Sequence, residues 1–182
     1  PFLNPSNFAI LVTIILFSST SLLMPYQFAT NTTSYYDLIL PLLIAVAGTI
    51  VNIKYTKRFI LVASWLATFT LQALLRYLFL DANFISIMAI ATSAPAMLYT
   101  FFMISDPGTT PENVLGQILF GGGIGIMYGI LTVLHQPFGL FWALLTMCCI
   151  RGVYLYLDYL NPKNLLALKT TDSQASLQKK AG

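Results

Sequence analysis

The densest group of reactive side chains in the sequence is Asp106-Pro107-Gly108-Thr109-Thr110-Pro111-Glu112-Asn113, directly after the apolar run Phe101-Phe102-Met103-Ile104. Pro107 cannot continue a helix and Gly108 permits a tight turn. Thr109 or Thr110 is placed to cap a following helix, and Glu112 suits its positive first turn. A helix start of that kind offers N–H groups to an anion or a bound cofactor; the same residues also make a well-formed interhelical loop. A second group, Asn4-Pro5-Ser6-Asn7-Phe8, repeats the order polar residue, proline, small residue. Paired breaks of this sort can mark two halves of a duplicated membrane fold with a site between them. Arg151 is the third group. It falls in the middle of an apolar run, where an unpaired charge costs about 3 kcal/mol, so it is expected to meet Asp158, water, a cofactor phosphate, a lipid head group or a neighbouring subunit.

What the residues do not offer is equally informative. No nucleophile stands with a base, no phosphate-binding glycine loop follows a strand, and no spacing supplies metal ligands. His135 is the only histidine, so haem ligation by a histidine pair is excluded within this chain. Cys148 and Cys149 are adjacent in an apolar run and are read as buried, inert thiols.

The elements that must position these groups are apolar helices. Hydrophobic residues make up 57% of 182 and charged residues 8%, with a mean hydropathy of +0.77. A soluble domain carries about 25% charge, so lipid is the expected solvent. The net charge of +3 is scattered and not gathered in a stripe, which argues against nucleic acid as a partner.

A helix crossing ~30 Å of hydrocarbon needs ~20 residues. Six stretches are expected to do so: Phe8 to Met24, Asp37 to Ile53, Phe59 to Leu80, Phe84 to Ser105, Val114 to Leu134, and Leu140 to Leu160. The expectation is therefore an all-α integral membrane bundle over residues 1–162 with a polar tail over 163–182. Lys54, Lys57 and Arg58 in one loop and Lys163, Lys169, Lys179 and Lys180 in the tail place both termini on the cytoplasmic or stromal side. The chain starts at Pro1 and shows no charged segment ahead of its first apolar run, so no signal peptide is expected. Pro95 predicts a kink in the fourth span. Gly121, Gly125 and Gly129 recur every four residues and give the fifth span a smooth face, expected to meet the fourth span or a larger complex.

Phe2-Leu3-Asn4-Pro5-Ser6-Asn7-Phe8 and Phe101-Phe102-Met103-Ile104-Ser105-Asp106-Pro107-Gly108-Thr109-Thr110-Pro111 resemble two signatures of one family. It comprises a membrane subunit of the Rnf electron-transport complex, its counterpart in the sodium-translocating NADH:quinone oxidoreductase (Nqr), and related membrane proteins of enediyne biosynthesis. The resemblance covers most of Pro1 to Leu160 and corresponds to the later part of the family. It implies two related helical halves, a membrane-bound flavin, and neighbouring membrane subunits in a bacterial inner or thylakoid-type membrane. In the electron-transport members one flavin is attached through phosphate to a threonine in a Ser/Thr-x-Ala-Thr-like motif. The nearest segment here, Gln27-Phe28-Ala29-Thr30, lacks the leading hydroxyl, so the cofactor implied is a non-covalent flavin or a quinone. Its expected site is Asn4, Ser6, Asp106, Gly108, Thr109, Thr110 and Arg151. Two other readings fit the residues: an accessory subunit that has lost the flavin site, and a small-molecule or ion transporter using helix breaks at Asn4-Pro5 and Asp106-Pro107.

Overall fold

A computed structural model describes residues 2–17 and 39–160. Every regular element among them is helical. The order is α1 (Pro5–Leu16), α2 (Ile39–Lys54), α3 (Phe59–Leu80), α4 (Phe84–Ala91), α5 (Ala94–Leu98), α6 (Val114–Val133) and α7 (Gly139–Tyr159), with a π-helical turn over Tyr99–Met103 continuing α5. Local chemistry sets several boundaries. Asn4 opens α1 by accepting from the Asn7 N–H, with Pro5 at the first helical position, where its missing donor costs nothing. Asn83 opens α4 by accepting from the Ser86 N–H. Asp81 closes α3 in the left-handed region, φ 50°.

Three helices, α3, α6 and α7, are long and apolar enough to cross a membrane. The expected fourth span is broken: α4 and the α5–Met103 segment meet at 59° across Thr92-Ser93. Pro95 removes a backbone donor there, and Ser93 starts the second half by accepting from the Ala96 N–H at 3.4 Å. The expected first and second spans are only partly described. α1 has 12 residues and α2 has 16, both short of the ~20 that a crossing needs. Residues 18–38 between them, including Gln27 to Thr30, lie outside the described residues, as does the tail expected over 163–182.

The chain divides into two compact units, Pro1–Cys148 and Cys149–Gly182. The first holds a core of Leu61, Trp65, Phe69 and Ala73 from α3, Phe120, Ile124 and Tyr128 from α6, and Leu140, Ala143 and Leu144 from α7. Burial at 61, 65, 69 and 73 repeats every four residues, the pattern of one helix face turned inward. Trp65, Phe69, Tyr99, Tyr128 and Phe141 form a continuous aromatic cluster, with ring centroids 5.5 to 6.1 Å apart in successive pairs. The described part of the second unit is the end of α7, with Tyr154, Tyr156 and Tyr159 exposed. Cys148 is buried and Cys149 is exposed, so only one of the two thiols is interior.

The glycine face of α6 does not meet the broken span. It lies on α3. A Cβ on Gly121 would run into the Leu61 carbonyl, and one on Gly125 into the Thr68 side chain. Gly129 faces Gln72. The partners advance from 61 to 68 to 72 as the glycines advance from 121 to 125 to 129, so α3 and α6 run parallel. The chain must therefore return between them. Thr110 accepts from Arg58 Nε at 3.0 Å, which brings the end of the return back to the start of α3. The bent α4–α5 pair thus supplies the return path as one broken apolar segment. The outward surface is apolar along its length: Leu71, Leu74, Leu78, Leu115, Leu119 and Ile126 are all exposed. Apolar exposure on that scale is what a helix bundle presents to lipid.

Candidate functional site

The site grows out of the π-helical turn. In a π-turn each N–H reaches five residues back, so some carbonyls lose their usual helical partners. Ile104 N–H donates to Tyr99 C=O in this register, at 3.0 Å. Two asparagines from other helices serve the carbonyls beyond. Asn52 Nδ2, at the end of α2 and fully buried, donates to Phe101 C=O at 2.8 Å and to Gly48 C=O at 2.9 Å. Asn4 Nδ2 donates to Met103 C=O at 3.0 Å. Ser105 also donates to Phe101 C=O. Paired polar atoms are what allow irregular backbone to sit among apolar helices at all.

The Asp106 loop follows. Its carboxylate accepts from Gly108 N–H at 3.2 Å, from Thr109 Oγ1 at 3.0 Å and, at 3.5 Å, from Asn4 Nδ2. Its carbonyl accepts from Thr109 N–H at 3.2 Å and Thr110 Oγ1 at 2.7 Å. The loop therefore folds around its own acid. Thr109 and Thr110 are buried, Asp106 is partly exposed, and Gly108 is exposed.

This geometry corrects one expectation. Neither threonine caps a helix: α6 starts eight residues after Asp106, with Asn113 at its N-cap and no acidic residue in its first turn. Asp106-Pro107 ends a helix, while Asn4-Pro5 begins one, so the two breaks are not equivalent. The break inside a crossing segment is at Thr92-Ser93. What the structure does bring together is the pair itself. Asn4 and Asp106, 102 residues apart, are hydrogen-bonded.

Between them lies a cavity of about 610 Å³. Asn4, Ser6, Thr56, Ser105 and Asp106 supply its polar wall, and Tyr99, Phe101, Phe102 and Phe141 supply four aromatic rings. Leu98, Val51 and Ile10 complete an apolar side. Of the expected site residues, Asn4, Ser6 and Asp106 line the cavity; Thr109 and Thr110 stand behind Asp106, and Gly108 turns the loop. Arg151 belongs to the second unit, on α7, and is not among the lining residues.

Several contributors carry no reactive signature in sequence. Asn52 is a single amide in an apolar helix; Asn7, part of the Asn4-Pro5 segment but not of the expected site, donates its Nδ2 to Phe141 C=O at 3.1 Å, and its Oδ1 has no hydrogen-bond partner. Arg58 reads as one of three loop cations, yet it is buried, bonded to Thr110, with Glu112 3.9 Å away. Gln117 Nε2 donates to the carbonyls of Lys57 and Glu112, at 3.2 and 3.0 Å, pinning the α2–α3 loop to the start of α6. The signal that finds such residues is a lone amide inside an apolar run, where an unmet polar group is costly.

Among the described residues no group of His, Cys, Asp or Glu is arranged to hold a metal ion. The fold and the site define a helical protein with three to four apolar segments able to cross a membrane and an aromatic-walled cavity. No family model, no curated protein and no solved structure matches the chain.

Proposed function

We propose that this protein is a multi-pass membrane component of the Rnf/Nqr type, and that the cavity between Asn4 and Asp106 holds the flat ring of a flavin or a quinone. The observation that carries this reading is the meeting of the two signature segments. Separated by 102 residues, they are joined by the Asn4–Asp106 hydrogen bond and wall the same cavity. Four aromatic side chains in that wall favour a planar, polarisable ligand. A few convergent polar groups on an otherwise apolar wall are the usual make-up of a cofactor pocket.

On this reading the chain makes six spans, and both termini face the cytoplasm or stroma. Exposed Lys54 and Lys57 beside the Asp106 loop support that side. The membrane is a bacterial inner or thylakoid-type membrane, and the partners are lipid and the other membrane subunits of an electron-transport complex.

An accessory subunit without cofactor is the second reading. The glycine face expected to dock it is already taken by α3, so a partner would need another surface. A transporter with paired breaks at Asn4 and Asp106 is less well supported, because the two sites are a helix start and a helix end and neither lies within a crossing segment. The test is purification from native membranes in mild detergent. Flavin is read by absorbance and fluorescence, and quinone by solvent extraction and chromatography. Near-stoichiometric ring cofactor is expected, falling severalfold in Leu98→Trp, which narrows the cavity at its apolar flank. A wild-type preparation lacking both cofactors overturns the proposal; stoichiometric co-purifying subunits in such a preparation favour the accessory role.

A further inference from the structure

We infer that the cavity takes a neutral amphiphile entering from the lipid, and that Asp106 bars ring ligands carrying a phosphate or other anion. This rests on the cavity reading above and narrows it.

The first observation is charge. Among the described residues, Asp106 is the only formally charged one in the cavity wall, and no Lys, Arg or His lines it. The basic residue bonded to this loop, Arg58, directs Nε to Thr110 and has Glu112 3.9 Å away.

The second is the fate of the loop donors. An anion-binding loop presents free N–H and hydroxyl groups. Here Gly108 N–H, Thr109 N–H, Thr109 Oγ1 and Thr110 Oγ1 all donate to Asp106 itself, to its carboxylate or its carbonyl. The side chain occupies the place a phosphate would need, and its charge repels one.

The third is the outer wall. Leu98 and Phe102 line the cavity and are 48% and 45% exposed, on a surface otherwise apolar. The cavity thus joins a polar end at Asn4, Ser6 and Asp106 to an apolar flank that faces the helix exterior. A ligand with a neutral, hydrogen-bonding ring and an apolar tail matches both ends. Carbonyl or hydroxyl groups on such a ring can exchange hydrogen bonds with the Ser6 hydroxyl, which lines the cavity.

The experiment measures affinity in lipid nanodiscs for four probes: riboflavin, flavin mononucleotide, a tail-less quinone and a long-chain isoprenoid quinone. Riboflavin and its phosphate share one ring and differ in charge. At roughly 6 Å and an effective dielectric near 20, a unit charge on Asp106 disfavours the phosphate by at least about tenfold. The expected result is riboflavin binding at least ~10-fold tighter than its phosphate, with the gap closing in Asp106→Asn and persisting in Asp106→Glu. Raising salt narrows the gap in the wild type, which tests the charge even if a variant fails to fold. The long-chain quinone is expected to bind at least ~10-fold tighter than the tail-less one, since its tail gains burial on the apolar flank. Flavin mononucleotide binding as tightly as riboflavin overturns the inference, as does tight phosphate binding that is lost in Arg151→Gln. If none of the four probes binds, the cavity reading itself fails.

Discussion

Two regions of the first unit handle the same problem, helices meeting in an apolar medium, in opposite ways. Along the α3–α6 contact the backbones touch. Gly121 and Gly125 leave no room for even a methyl group, and the neighbour on one side is a main-chain carbonyl. At the Asn4–Asp106 corner the backbone is irregular, a cavity of about 610 Å³ is left open, and side-chain amides supply the cohesion. Close packing of small residues is the stronger glue where no hydrophobic effect separates helix from lipid. Hydrogen bonds tolerate open space that packing does not. The contrast teaches where a site can lie: the rigid contact fixes two parallel helices, while the π-turn, although Gly48 of α2 packs closely on Phe101, carries the polar groups and the cavity.

That contrast can be broken by substitution, beginning where the effect is largest. Gly121→Val pushes a branched side chain against the Leu61 carbonyl, which cannot move without shifting α3. A loss of about 3 kcal/mol is expected, read as a fall in thermal midpoint in detergent. A midpoint near wild type would mean that α3 and α6 are not in backbone contact. Asn52→Leu comes next. It removes the amide bonds to Phe101 and Gly48 from a fully buried position and takes away the acceptor of the Thr56 hydroxyl, leaving Ser105 alone to hold the Phe101 carbonyl. About 2 kcal/mol is expected, with faster hydrogen exchange around Met103 but not along α6; equal acceleration in both would erase the distinction between the two regions.

Smaller effects sharpen the same comparison. Asn4→Ala removes the α1 cap and the link to Met103, for about 1 kcal/mol. Its larger consequence is expected in ligand affinity, since Asn4 lines the cavity, so an unchanged affinity would count against the site. Gly122→Ala is expected to stay within about 1 kcal/mol of wild type, because the nearest atom is the Ser64 hydroxyl at 3.3 Å, a side chain able to turn aside. Calorimetry in the same detergent distinguishes it from its neighbour Gly121.

The helical class and the positions of α3, α6 and α7 are legible in the sequence because length and apolar composition dominate in a chain with so few charges. The Pro95 kink is legible because proline acts locally. The neighbour of the glycine face is not: a stripe of small residues says that something comes close without saying what. Proline, threonine and acid are shared by caps and by turns, so the residues at Asp106 alone suggest a helix start. Burial and bonding decide between the two, and those depend on residues such as Asn4 and Arg58 that are distant in sequence. Asn4, Ser6 and Asp106 are recognisable by type; that they share one wall follows only from the fold. For Arg151, hydropathy gives its place along a helix and not the unit to which it belongs.

Photolabelling tests the central claim most directly. Membranes containing the protein would be irradiated with a photoreactive long-chain quinone and the adducts mapped by mass spectrometry. Adducts in both residues 4–10 and residues 95–107, suppressed by excess unlabelled quinone and by Leu98→Trp, are the predicted result. Adducts spread along the exposed faces of α3 and α6, indifferent to competitor, would contradict a ligand site between the two segments.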